Sequence, residues 1–247
     1  MKDILKALGA VSTSEVDASQ HWTFYQSVFT TPAGDASGNF LYLKSSCPRK
    51  EGSTTNRQHW SSLSGNGEYI VVAPVSSELL ENPNRTRREF GGKEIFSTRE
   101  FLRQKALRDQ EVVEARQEDF FIVPDLFVEH GENRRKAPDT LTSWFRRGDD
   151  LSDKHIGILV AHAGTGKTTL ARHLKAKLTD ASSGVFPILL ESEQWRDIIG
   201  AGTSLAALWE LAVKKSLKRP EKVLGNPDLF RTLVKEGVFP IIFDGLD

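Results

Sequence analysis

The chain has 247 residues, enough for one large domain or two modest ones, each able to bury a core. Lysine plus arginine and aspartate plus glutamate stand at 33 each, so no global charge draws the chain to nucleic acid or to a membrane surface. Cys47 is the one cysteine, which excludes an internal disulfide, fits a reducing compartment and reads as an inert thiol. No apolar run approaches the roughly 20 residues that cross a bilayer, and Met1-Lys2-Asp3-Ile4-Leu5-Lys6 lacks the apolar centre of a secretion signal. A soluble, cytoplasmic protein is the expectation.

Residues 1–110 read as a small α/β (α+β) module. Ile4, Leu5, Leu8 and Val11 fall at helical spacing, and Trp22, Tyr25 and Phe29 mark a second helix. Residues 32–38 read as a turn and Phe40-Leu41-Tyr42-Leu43 as a strand. Residues 44–67, rich in Ser, Gly, Asn and Thr, read as an exposed loop. Residues 69–75 form a buried strand, with Pro74 ending it at a sheet edge. Ser97-Thr98-Arg99-Glu100 fits a capping box that opens a helix running from Thr98 to about Gln117. Residues 111–150 connect this module to the rest. Within them 130–139 reads as a polar loop, and Leu141, Trp144 and Phe145 mark a short amphipathic helix.

Residues 151–247 alternate between strand and helix patterns. An apolar run, Ile156-Gly157-Ile158-Leu159-Val160, leads into Ala161-His162-Ala163-Gly164-Thr165-Gly166-Lys167-Thr168-Thr169 and then a helical pattern over 170–178. A strand over 185–190, helices over 204–213 and 227–234, and a closing strand over 238–244 follow. Such alternation predicts a parallel, right-handed βαβ sheet with helices on its faces. The expected fold class is therefore α/β: a parallel sheet flanked by helices and preceded by the smaller module, a sheet that the motifs below identify as of the P-loop NTPase kind and that the resemblance below implies is incomplete.

Strand, glycine-rich loop, lysine-threonine and helix is the arrangement that wraps a triphosphate tail. Glycines let backbone N–H groups turn toward phosphate oxygens, and the helix N-terminus adds a positive dipole. Nucleotide contacts are expected from His162, Ala163, Gly164, Thr165, Gly166, Lys167, Thr168 and Thr169. Lys167 reaches the β/γ-phosphates and Thr168 offers its hydroxyl to Mg²⁺. Ala161 stands where the usual pattern begins with glycine. The metal's second ligand is expected from the last strand, where apolar residues end in Asp244 and place a carboxylate at the C-terminal edge of a buried strand. Asp244 then orients metal-bound water, and Asp247 helps polarise the nucleophile.

Residues 163–170 together with Phe243-Asp244-Gly245-Leu246-Asp247 resemble the NACHT branch of the STAND signal-transduction NTPases. Gly245 after the metal aspartate and the further acid at Asp247 are the marks of that branch, and Phe121-Ile122-Val123-Pro124 is a weaker match near the adenine position. The resemblance covers roughly residues 120–247 and implies ATP/ADP and Mg²⁺ as cofactors. It also implies nucleotide exchange on sensing a trigger, self-association and activation of an N-terminal module, in roles that include innate immunity and antiviral defence. The family continues beyond Asp247 with another acidic residue, and a sensor strand follows. Residues 1–247 alone are accordingly expected to bind nucleotide but hydrolyse it poorly.

A metal-dependent nuclease is one candidate for the N-terminal module. Asp35 followed by Tyr42-Leu43-Lys44 lacks the second carboxylate such a site needs, and a chance pairing is favoured. The basic residues between 85 and 108 offer phosphate contacts, yet a solvated face with i,i+4 ion pairs is the favoured reading. The six histidines show no zinc-ligand spacing. Two alternatives stand beside the switch: an ATP-dependent nucleic-acid enzyme, and a nucleotide-gated scaffold without meaningful hydrolysis.

Overall fold

A computed structural model describes residues 1–108, 125–127, 134–147, 159–160, 162, 164–179, 185–193 and 205–245. The chain is α/β and divides into two compact units, Met1–Arg108 with Asp228–Glu236, and Asp109–Pro227 with Gly237–Asp247.

The first unit is built on a five-stranded mixed sheet in the order β1-β2-β3-β4-β5. Helix α1 (Lys2–Ala7) precedes β1 (Ala10–Ala18), β2 (Trp22–Thr31) and β3 (Gly34–Leu43), which pair antiparallel. Helix α2 (Thr54–Leu63) then carries the chain to β4 (Ile70–Ala73), and α3 (Pro83–Phe90) carries it to β5 (Glu94–Ser97). These two crossovers make β3, β4 and β5 parallel. Helix α4 (Thr98–Ala106) follows. Both faces of the sheet are covered. Leu41 and Leu43 join Trp22, Phe24, Trp60, Val71 and Phe90 in one cluster, while Phe40, from the opposite face of β3, meets Phe101 of α4 edge-on at 5.6 Å.

Several expectations for this unit change. Trp22, Tyr25 and Phe29 lie on β2, not on a helix. The first four residues of β2 are all buried, because the strand lies inside the sheet with both faces covered, so no clean alternation betrays it. Val11 belongs to β1 and is exposed, since α1 ends at Ala7. The turn shrinks to Pro32-Ala33 between paired Thr31 and Gly34. The loop over 44–67 contains α2, a mostly polar helix in which Trp60 is buried and Leu63 packs beside it on the core. Strand β4 does end before Pro74, but it is paired on both sides and is no edge.

The capping box forms as expected. Ser97 Oγ accepts from Glu100 N–H at 3.1 Å, and Glu100 Oε2 accepts from Ser97 N–H at 2.8 Å. We expect Ser97→Ala to destabilise the first unit by about 1 kcal/mol, read as a lower urea midpoint by circular dichroism. An unmoved midpoint contradicts the assignment. Helix α4 is described only as far as Ala106, and the rest of the expected long helix lies outside the described residues.

In the second unit, β6 (Asp125–Phe127) and β7 (Arg134–Lys136) form an antiparallel pair, and α5 (Ala137–Arg147) follows directly. The polar loop expected over 130–139 therefore holds a strand and a helix start, whereas the amphipathic helix around Leu141 is present. Helix α6 (Lys167–Leu178) packs Leu170 and Leu174 against Leu141 of α5 and against Ile242. Strands β8 (Ile188–Leu190) and β9 (Ile241–Phe243) pair in parallel. Between them lie α7 (Leu205–Ser216), α8 (Glu221–Leu224) and α9 (Pro227–Lys235). Of the strand expected over 156–160, Leu159 and Val160 alone are described; both are exposed and neither is assigned to a strand. The large sheet is thus the mixed one of the first unit, while the second unit contributes a parallel pair.

Residues 228–236, expected to lie with the second half of the chain, cluster with the first unit. There Leu229 and Leu233, four apart on one face of α9, are buried, and Arg99 Nε donates to Glu236 O at 3.0 Å. No helix among the described residues is long and apolar enough to cross a membrane.

Candidate functional site

The glycine-rich loop turns as its sequence demands. Gly164 (φ 76°) and Gly166 (φ 85°) both occupy the left-handed region, which other residues enter at a cost. A Cβ built on either would meet no atom within 4 Å. Backbone conformation therefore selects glycine here, and space is left open around the loop. Gly166 caps α6, so the helix begins at Lys167. The first-turn N–H groups of any helix lack intrahelical acceptors, which makes this end a natural anion site.

His162 anchors the loop through its carbonyl. Thr165 donates to His162 O from its hydroxyl at 2.8 Å and from its N–H at 3.4 Å, and Lys167 Nζ donates to the same oxygen at 3.3 Å. The lysine thus folds back over its own loop.

Thr168 and Asp244 are 76 residues apart in sequence, and the fold joins them: Thr168 Oγ1 donates to Asp244 Oδ2 at 2.7 Å. Asp244 is 9% exposed, and its N–H donates to Leu190 O at 2.9 Å, extending the β8–β9 ladder by one residue. Gly245 then takes φ 79°, where a Cβ would stand 2.6 Å from Ser192 Cβ. The small residue after the aspartate has a physical cause: the turn passes too close to Ser192 for a side chain.

A hydroxyl and a carboxylate facing each other are two hard oxygen donors of the kind Mg²⁺ takes. Among the described residues no group of three His, Cys, Asp or Glu converges on a metal. One carboxylate is still sufficient chemistry, because Mg²⁺ keeps waters and takes substrate phosphates as its remaining ligands. The residues present fit that ion. Of the other expected site residues, Thr169 is half-buried in the first turn of α6. Ala163 and Asp247, like Phe121-Ile122-Val123-Pro124, lie outside the described residues.

Two further residues adjoin the site that the motifs did not single out. Arg172, one turn along α6, donates from Nε to Glu191 Oε1 at 2.6 Å. Glu191 follows the apolar run 185–190 as Asp244 follows its own, and that shared position is the signal that could have found it. Lys175 is buried on α6; burial lowers its ammonium pKa while the Glu191 charge raises it.

In the first unit, Asp35 and Lys44 sit at opposite ends of β3. Asp35 accepts from Thr30 across the hairpin at 2.9 Å, whereas Lys44 Nζ donates to Ser19 O at 2.7 Å. Nine residue steps of extended chain at about 3.3 Å each separate the two, so they cannot share a metal. The basic stretch is knitted by Arg85–Glu89 at 2.6 Å, Arg49–Glu89 at 2.9 Å and Lys93–Glu68 at 3.1 Å. Cys47 is buried, and burial together with the Glu51 charge pushes its thiol up to about 12, far from a nucleophile's range.

Compared with known protein families, with curated proteins and with solved structures, the chain gives no match.

Proposed function

We propose that residues 151–247 are a nucleotide-binding module of the NACHT/STAND type, taking ATP or ADP with Mg²⁺, built on a parallel P-loop NTPase sheet and serving as a switch. The hydrogen bond from Thr168 to Asp244 carries this reading. A phosphate loop alone holds phosphates; a strand-end carboxylate brought onto the loop's own threonine is what a metal–nucleotide site requires beyond it. The parallel pairing of β8 with β9 and the packing of α6 over Ile242 support the same fold.

In this reading the N–H groups at the start of α6 hold phosphate oxygens, Lys167 swings from His162 O to the β/γ-phosphates, and Thr168 and Asp244 hold the ion. Mg²⁺, when bound, neutralises charge developing on the phosphates. Asp247 takes the water-polarising role. The bound nucleotide sets the self-association of the protein and the state of residues 1–110, a coupling the family resemblance implies in immunity and antiviral defence.

Titration with ATP, ADP and AMP in Mg²⁺, with sedimentation on the same samples, tests the proposal. Saturable binding of ATP and ADP, with AMP failing to compete, is expected. Absence of saturable binding by any nucleotide overturns it.

A further inference from the structure

Two carboxylates, Glu191 and Asp244, end the parallel pair. Strands β8 and β9 run in register from Ile188 opposite Ile241 to Leu190 opposite Phe243. Glu191 and Asp244, the next residue of each strand, therefore stand side by side at one C-terminal edge. Neighbouring strands are about 4.8 Å apart. On α6, Thr168 and Arg172 are four residues apart on one face, about 6 Å of helical rise. The two spacings match, and both pairs form: Thr168 to Asp244 at 2.7 Å and Arg172 to Glu191 at 2.6 Å. The Arg172 and Glu191 side chains are 33% and 24% exposed, so the pair is partly sheltered from the screening that weakens open surface pairs. Leu170 and Leu174 hold α6 on Leu141 and Ile242 by apolar packing, which is non-directional. The two polar contacts at neighbouring strand ends add direction, fixing the roll and axial register of the helix to within a hydrogen bond.

We propose that Glu191, acting through Arg172, is a positioning residue for the nucleotide site: it sets the roll of α6 that keeps the Thr168 hydroxyl on Asp244. The proposal rests on the Mg²⁺–nucleotide reading of that site. Glu191 touches neither nucleotide nor metal in this role, and its effect passes entirely through the orientation of one helix. The part of ATP affinity that depends on Mg²⁺ is then sensitive to Glu191. The part held by Lys167 and the loop N–H groups, which needs no metal, is not.

The readout is the ratio of ATP dissociation constants without and with Mg²⁺, measured on the full chain with a fluorescent ATP analogue. Glu191→Gln and Arg172→Ala are expected to shrink this ratio about tenfold, the scale on which outer-shell partners act on metal affinity. Metal-free affinity is expected to stay unchanged, and the charge-swapped pair R172E/E191R to recover most of the ratio. Arg172→Lys carries the same comparison if Arg172→Ala loses its far-UV circular dichroism. The proposal is overturned if the single variants weaken binding equally with and without Mg²⁺, since that is the mark of a general structural role. It is equally overturned if the ratio does not move, or if the charge swap restores nothing. Failure of the underlying site reading shows separately, in the wild type, as ATP binding that is absent or indifferent to Mg²⁺.

Discussion

Lys167→Ala is expected to weaken ATP binding by about 100-fold, which is about 2.7 kcal/mol at about 1.4 kcal/mol per decade. That is within reach of one charge-assisted contact, at about 1.5–3 kcal/mol, plus the exposed phosphate charge left behind. The ammonium now rests on His162 O at 3.3 Å, a long contact that triphosphate oxygens readily replace. Lys167 is half-buried at the first position of α6, ahead of the buried Leu170 and Leu174, and the variant is expected to keep the wild-type melting temperature. AMP has no β- or γ-phosphate and is expected to respond little to the change. Calorimetry or fluorescence titration checks all three, and an ATP affinity within the error of wild type refutes the role.

The second large effect concerns stability. Trp60 is fully buried between Phe90, stacked at 5.9 Å, and Trp22, edge-on at 5.4 Å, with Tyr69 at 6.3 Å. It is the one fully buried side chain of α2, and Leu63 packs against the same cluster from the helix's last position. Trp60→Ala is expected to cost about 3–5 kcal/mol, the usual result of emptying a large aromatic site that cannot collapse. Its indole N–H is buried with no hydrogen-bond partner among the described residues, so Trp60→Phe removes that donor along with some volume and is expected to cost under about 1.5 kcal/mol. Urea unfolding followed by far-UV circular dichroism measures both. Equal midpoints for the two variants contradict this picture of the cluster.

The candidate site was legible because its signals are local or end-of-strand. Glycines at 164 and 166 dictate a loop conformation whatever surrounds them, and an apolar run ending in Asp244 places a carboxylate at a sheet edge. Glu191 obeys the same rule yet passed unnoticed, since a single acid beside an apolar run reads as a solvent-facing charge until the partner helix is known. The Ser97–Glu100 capping box is local as well, and it formed.

The first unit was harder to read for reasons of tertiary burial. Trp22, Tyr25 and Phe29 mimic helical spacing because an interior strand need not alternate. The β-branched and aromatic content of 22–31 was the better guide. Helix α2 was hidden by its polarity: Trp60 and Leu63 are its only apolar residues, a stripe less than one turn long, although Ser53 caps it by accepting from Asn56 N–H. Without α2 there is no crossover to make β3 and β4 parallel, so the mixed sheet does not follow from the strand patterns alone. The placement of residues 228–236 with the first unit has no sequence signal at all, because an amphipathic helix announces that one face is buried but not against which partner.

In the proposed site Thr168 and Asp244 form the metal half, a role that rests on their hydrogen bond. Asp244→Asn tests it most directly, since it removes the charge and keeps an oxygen near the Thr168 hydroxyl. ATP affinity measured across a Mg²⁺ titration is predicted to rise with Mg²⁺ in the wild type and to lose that rise in Asp244→Asn, with metal-free affinity unchanged. An undiminished Mg²⁺ response in the variant contradicts the account.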